Sequence, residues 1–293
     1  MPLLTAQFLK QIDRLRIHSQ GTFRGRFKGE RRSLNRGTGV EFADYRPYEI
    51  GDDLRYVDWN VYARLDRLFI KLFRADEDLF ISILLDNSKS MGFGEPTKLA
   101  CAKQIAAALG YIGLANLDRV SIHTLSDRAV PITAPTYGKT QFIRLSKSIE
   151  KTDTDGKTDL TACLKRFMVY TRSTGIAVII SDFLDMNDYK PGIKQLLARG
   201  FDLILIHLLS DEEINPRLSG EWRLEDSETG QFKEITINEQ TISHYRERVE
   251  DFCKTLERFC TNRGVNYVRI SNRVPIENLI RKDLQRIGFI TAR

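Results

Sequence analysis

The chain is poor in the residue types that announce chemistry by themselves. It has four cysteines and four histidines in 293 residues. Cys101, Cys163, Cys253 and Cys260 show no CxxC spacing and no neighbouring histidine cluster, which argues against a zinc site. Cys101 and Cys163 sit among apolar residues of helical spacing, and Cys253 and Cys260 fall seven apart on one helix face. All four read as reduced core thiols. No run approaches the roughly 18 apolar residues that a membrane span requires. Lys10, Asp13, Arg14 and Arg16 interrupt the N-terminal apolar residues, so that segment is not a signal peptide and the cytoplasm is the expected compartment. No internal repeat or low-complexity tract stands out.

Charge is unevenly spread. Residues 1–40 hold nine Lys and Arg against Asp13 and Glu30, a balance of +7. The total is +6, so the remainder of the chain stands at −1. The expected organisation is a basic N-terminal arm (1–35), a second segment (36–78) and a large domain (79–293). The arm suits contact with nucleic acid or another anionic surface, or else is a solvated leader.

From residue 79 the pattern alternates. "LFISILLD" (79–86), "IAVIISDF" (176–183) and "FDLILIHLLS" (201–210) are short apolar runs that suit strands buried on both faces. Helices are expected from Pro96-Thr97 onward, over 139–150 with Phe142, Ile143, Leu145 and Ile149 inward, after residue 158, over 188–199 and over 239–262. Residues 119–126 and 128–133 read as two strands joined by a tight turn, 222–237 as an inserted hairpin, and "VNYVRI" as a last strand before a closing helix from Pro275. Strands alternating with helices predict an α/β fold: an open, mostly parallel sheet with helices on both faces. Ligand sites in such sheets lie at the carboxyl ends of strands.

The stretch "DTDGKTDL" (153–160) imitates three motifs and lacks what each requires. A phosphate-binding loop needs Gly where Lys151 stands, and needs a strand before it. An EF-hand needs a bidentate Glu where Ala162 stands. An aspartyl-phosphatase loop needs an apolar strand where "LSKSIEKT" stands. The strand ends carry more. β-Strand 79–85 runs into Asp86-Asn87-Ser88-Lys89-Ser90, whose alternate residues can present a carboxylate and two hydroxyls to one point. These are hard oxygen donors, suited to a small divalent cation that keeps some of its waters. They are also ordinary helix-capping residues, and Lys89 would oppose a cation if it pointed inward. Ser181-Asp182 brings another carboxylate to the same edge, and Thr158 can supply a third hydroxyl.

Asp86, Ser88 and Ser90, then Thr158, then Asp182 after an apolar strand together resemble the metal-ion-dependent adhesion site of the von Willebrand factor A fold, which is Rossmann-like. The resemblance implies that Ser88, Ser90 and Thr158 ligate Mg2+ or Mn2+, with Asp86 and Asp182 holding bound waters. Upstream, "RGTGVEFADYRPYEIGDDLRYVDWNVYARLDRLFIKLF" (36–73) closely resembles the signature of a bacterial family, domain-of-unknown-function family 58. In that family such a segment precedes a von Willebrand A-like domain, and a hairpin like that at Asp226 to Gly230 is typical. The likeness covers roughly residues 30–293. It implies a partner, since members are associated with MoxR-type AAA+ ATPases.

Segment 36–73 interleaves Asp52, Asp53, Asp58 and Asp66 with Arg46, Arg55, Arg64 and Arg67. Local ion pairs that fix a compact, irregular segment are expected, or, with Tyr45, Tyr48, Tyr56, Trp59 and Tyr62, a partner contact. The leading expectation is a non-enzymatic, metal-dependent protein-binding module, an adaptor or co-chaperone for a AAA+ ATPase. The alternatives are a metal-assisted hydrolase at the same site, for which His18, His123, His207 and His244 offer no evident general base, and nucleic-acid binding through residues 10–36, where no recognised module is present.

Overall fold

The computed structural model describes residues 3–19, 40–75, 79–126, 131–156, 159–171, 173–185, 188–225 and 232–292. The chain forms two compact units, one of residues 1–22 with 79–293 and one of residues 23–78.

The larger unit begins with α1 (Ala6–Ile12) and β1 (Leu15–Ile17). This corrects the expected 1–35 arm: residues 1–22 belong to the α/β unit. Leu4, Phe8, Ile12, Leu15 and Ile17 are buried in its core, and the charge count had concealed this apolar spacing. The basic residues between 20 and 39, like the 226–231 hairpin tip, lie outside the described residues.

The smaller unit is an antiparallel pair, β2 (Val40–Pro47) and β3 (Phe69–Ala75), joined through a 3-10 turn and α2 (Trp59–Leu65). Two ion pairs of the expected kind are present. Arg46 pairs with Asp52, and Arg55 pairs with Asp53 at 2.5 Å. Buried Asp58 caps α2, accepting from the amides of Asn60 and Val61 at 2.9 and 3.3 Å, while its other oxygen accepts from Tyr45 Oη at 2.7 Å. The segment is more regular than the sequence suggested, since its apolar positions at 69–73 pair as a strand.

Returning to the larger unit, β4 (Phe80–Asp86), α3 (Lys98–Ala115), β5 (Arg119–Leu125), β6 (Pro131–Thr136), α4 (Phe142–Glu150), α5 (Leu160–Tyr170), β7 (Ile176–Ser181), α6 (Lys190–Ala198) and β8 (Asp202–Leu209) follow in order. After them come the short α7 (Asp211–Ile214), the hairpin β9 (Gly220–Glu225) and β10 (Phe232–Ile237), α8 (Glu239–Thr261), β11 (Asn266–Ser271), a closing helical segment over 276–286 and β12 (Ile290–Ala292). Six strands make one sheet in the order β11-β8-β7-β4-β5-β6, parallel except for the β6 edge. β12 pairs with β1, an element the sequence reading missed because three residues carry too little periodicity.

Strand alternation divides the core in two. Ile81, Ile83 and Leu85 of β4, Val178 and Ile180 of β7, and Ile204 and Ile206 of β8 face α3 and the N-terminal elements. Leu84, Ala177, Ile179, Leu203 and Leu205 face the other way, onto α5, α6 and α8. Such two-sided burial requires unbroken apolar strands, which is what the sequence shows. α3 is apolar almost all round and buried accordingly. It lies so close to the sheet that a Cβ at Gly113 would fall 2.7 Å from Val120 and 2.9 Å from Ile81. In α4, Leu145 and Ile149 are buried and Phe142 is partly so, but Ile143 is exposed, contrary to expectation. It lies about 100° round the helix from Phe142, off the packing stripe. All four cysteines are buried free thiols, and burial pushes Cys101 up to about 11 and Cys260 to about 12. Among the described residues, no helix is long and apolar enough to cross a membrane.

Candidate functional site

The carboxyl ends of β4 and β7 meet because these strands are parallel neighbours in the sheet. Asp86 ends β4, and Asp182 follows β7; each is 2% exposed. Asp86 Oδ1 accepts from the Ser88 amide at 2.9 Å, which folds the turn back on itself, and Oδ2 accepts from Ser181 Oγ at 2.5 Å. Ser181 Oγ in turn accepts from the Phe183 amide at 2.9 Å, stabilising the left-handed backbone of Phe183 (φ 53°). Asp182 Oδ1 accepts from the Leu184 amide at 3.1 Å. Its Oδ2 receives the Lys98 ammonium at 2.7 Å.

Ser88 is buried, Ser90 is partly exposed, and Lys89 between them points out to solvent. The hydroxyl oxygens of Ser88 and Ser90 lie 3.0 Å apart. The loop 153–156 is stitched to this turn. Asn87 Nδ2 donates to the Asp153 carbonyl at 3.0 Å, the Asp155 amide donates to the Asn87 carbonyl at 2.7 Å, and the Lys89 amide donates to the Gly156 carbonyl at 3.3 Å. Asn87 Oδ1 is buried and takes no partner among the described residues. Thr158 lies outside the described residues. Beyond it, Asp159 caps α5 through the Ala162 amide at 2.8 Å, and Asp185 accepts from the Leu160 amide at 2.8 Å. The structure therefore brings Asp86, Ser88, Ser90 and Asp182 to one edge of the sheet, beside the loop that the sequence reading singled out.

Burial is the main cause that pushes the Asp86 carboxyl up to about 6, and the neighbouring Asp182 carboxylate adds to it. Burial also pushes the Lys98 ammonium down, but Asp182 and Glu213 outweigh it and hold the group above its ordinary value. Two carboxylates and one ammonium, all nearly inaccessible, thus share a polar pocket in an otherwise apolar sheet.

The two serine hydroxyls are hydrogen-bonded to each other at 3.0 Å, a separation that is also that of two ligands at right angles around Mg2+, each at about 2.1 Å. Among the described residues no group of three or more His, Cys, Asp and Glu is placed to hold a metal. Any cation here would rest on neutral hydroxyls, with carboxylates behind them. On that chemistry the donor set fits a hydrated divalent ion.

Sequence reading missed two members of the cluster. Lys98 and Glu213 complete it, at 2.5 Å from each other. A signal existed for the first: a lysine at the first position of α3 opposes the helix dipole, so it needs a partner from elsewhere in the fold. For Glu213 the S-x-x-E spacing with Ser210 announces a capping box, which is present, but not its second contact.

The sheet order and the strand-end cluster define an open α/β protein with a polar site at the carboxyl edge. A family model described as "Protein of unknown function DUF58" matches residues 44–254, and the chain belongs to that family. An uncharacterized protein of Mycobacterium tuberculosis is 27% identical over 221 residues, covering 73% of this chain and 69% of its own. Among solved structures, the conserved hypothetical protein BatB from Bacteroides thetaiotaomicron is similar at a TM-score of 0.45 and 15% identity, over 72% of this chain and 98% of that one. The SpRpn10 VWA domain is similar at a TM-score of 0.40 and 12% identity, over 68% and 91%. The mostly parallel six-stranded sheet with helices packed on both faces is the open α/β architecture expected from the sequence.

Proposed function

We propose that the protein is a non-enzymatic, divalent-cation-dependent protein-binding module of the cytoplasm. The observation that carries this reading is how the carboxylate oxygens are used. Both oxygens of Asp86 and both of Asp182 already accept hydrogen bonds from the protein, which leaves the hydroxyls of Ser88 and Ser90 as the direct donors. Thr158 would add a third, and Asp86 and Asp182 would orient water. Mg2+ or Mn2+ held by neutral oxygens keeps its charge largely uncompensated and would supply an electrophilic centre for a carboxylate of the partner. Exposed Lys89 stands off the site, so it does not oppose the ion at close range.

The hydrolase alternative gains nothing from the histidines. His123 bonds Ser121 at 3.2 Å and stacks edge-on against Phe167, and His207 bonds Tyr267 at 2.7 Å. Burial pushes both imidazoles down to about 4. The partner that family resemblance implies is a MoxR-type AAA+ ATPase, with this protein as adaptor or co-chaperone.

The test is co-purification of tagged wild type and Asp86→Ala with the MoxR-type ATPase of the same genome, each in Mg2+ and in EDTA. Retention by wild type in Mg2+ alone, lost in Asp86→Ala of intact circular dichroism, is the expected result. Equal retention in all four conditions removes the strand-end site from the binding mechanism.

A further inference from the structure

Lys98 is the least expected residue of the larger unit. It is fully buried, and it stands at the positive end of α3, where a cation gains nothing from the helix. Burying an ammonium is costly unless it is paired and hydrogen-bonded. Here the pairing comes from two other elements. Asp182, after β7, lies 2.7 Å away, and Glu213, in the first turn after β8, lies 2.5 Å away.

Glu213 is itself fixed. Its second carboxylate oxygen accepts from the Ser210 amide at 2.7 Å, and its own amide donates to Ser210 Oγ at 3.1 Å. The start of α3 is pinned on the other side by Asn272, which donates to the Pro96 carbonyl at 2.6 Å and accepts from the Asp211 amide at 2.9 Å. Nothing larger than glycine fits at position 94 in that corner. Gly94 has φ 91°, and a Cβ there would lie 2.7 Å from both Asn272 Nδ2 and Ser210 Cβ. The ammonium is therefore held in place by parts of the fold that have no share in the serine turn.

We propose that Lys98 is the residue that sets the cation affinity of the strand-end site: a built-in cation that discharges Asp182 and keeps a divalent ion weakly held. This rests on the cation-site reading above and deepens it. The formal charge of Asp86, Asp182, Glu213 and Lys98 together is −2, against −3 without the lysine. A divalent ion entering beside Ser88 and Ser90 would meet the field of a fixed positive charge paired with Asp182. Weak holding suits a site whose last ligand comes from a partner, because the partner carboxylate then decides whether the ion stays. Glu213 moderates the effect by drawing on the same ammonium, and its loss would concentrate that charge on Asp182.

The experiment is Mn2+ titration followed by the electron paramagnetic resonance signal of the free hydrated ion. It uses full-length wild type, Lys98→Met, Glu213→Gln and Ser88→Ala, with folding monitored by circular dichroism. Lys98→Met keeps the apolar stem and removes the charge; it is expected to bind Mn2+ about tenfold tighter or more. Glu213→Gln is expected to bind about threefold weaker or more. The binding step should be absent in Ser88→Ala, which assigns it to this site.

If wild type and folded Lys98→Met bind equally, the role given to Lys98 is overturned while the cation site stands. If wild type binds nothing and Lys98→Met does, the lysine excludes the ion instead of tuning its affinity, and both the tuning role and the divalent-dependent reading of the wild type fall. If no variant binds at millimolar Mn2+, both fall. Should Lys98→Met fail to fold, Glu213→Gln decides, and unchanged affinity there overturns the inference.

Discussion

The central strands β4, β7 and β8 of the α/β unit carry successive side chains at or near zero exposure, apolar on both faces. In the hairpin unit, Val57, Asp58 and Ile70 are the buried residues among the described side chains, while Ile50, Leu54, Trp59 and Leu65 are exposed. The first unit draws its stability from area removed from water. The second is organised by a buried capping carboxylate and by ion pairs at its surface, which contribute little individually. A polar cluster means different things in the two settings. Inside the sheet edge, Lys98 and Asp182 have no solvent to fall back on, so their geometry is tightly specified. On the hairpin unit, Arg55 and Asp53 can trade each other for water.

The contrast predicts a graded series of effects. Leu84→Ala, in the middle of β4, should cost about 2–5 kcal/mol and lower the thermal midpoint of the α/β unit by several degrees, measured calorimetrically. A cost below about 1 kcal/mol would mean that the two-sided core is loosely packed.

Proton linkage gives the next effect. The His123 imidazole sits at about 4 in the folded state, below its ordinary value of about 6.5. The unfolded chain therefore binds the proton more readily between those values, and stability falls as pH drops through that window. The full difference is about 3 kcal/mol. Denaturant titrations at pH 7.0, 5.5 and 4.5 should show this slope, and His123→Gln should reduce it by about half, since the His207 imidazole is pushed down to about 4 as well. An unchanged slope would assign the acid sensitivity to other groups.

Asp58→Ala, which removes the α2 cap, should cost about 1 kcal/mol and loosen amide-exchange protection at Asn60 and Val61 before any change reaches β4. Equal loss of protection in β4 would show that the two units unfold as one. The smallest effects belong to exposed side chains: Arg55→Ala and Trp59→Ala should leave the thermal midpoint unmoved. A clear drop for Trp59→Ala would show that this ring is packed in solution and would erase the contrast at its most exposed point.

Much of the fold was legible in the sequence for one reason: strands buried on both faces leave no room for polar residues, so "LFISILLD", "IAVIISDF" and "FDLILIHLLS" stand out. The aspartates that close the first two then mark the sheet's carboxyl edge, so that Asp86, Ser88, Ser90 and Asp182 could be grouped from the sequence. Short or marginal elements were not legible. β1 and β12 are three residues each, α7 is four, and the Phe8–Ile12 stripe was hidden under a high local charge. Ile143 was placed inward because an apolar residue beside a packing stripe looks like part of it.

What the sequence determined by itself was the alternation of strand and helix, the apolar interior of the sheet and the identity of the residues at two strand ends. These depend on local spacing, and spacing is written in the chain. The tertiary structure alone decided which charges meet. Lys98, Asp182 and Glu213 are separated by 84 and 31 residues in sequence, yet they share one buried ion-pair cluster. That juxtaposition depends on strand order and on where each helix begins, and no local pattern encodes it, because a buried charge finds its partner through the packing of the whole sheet.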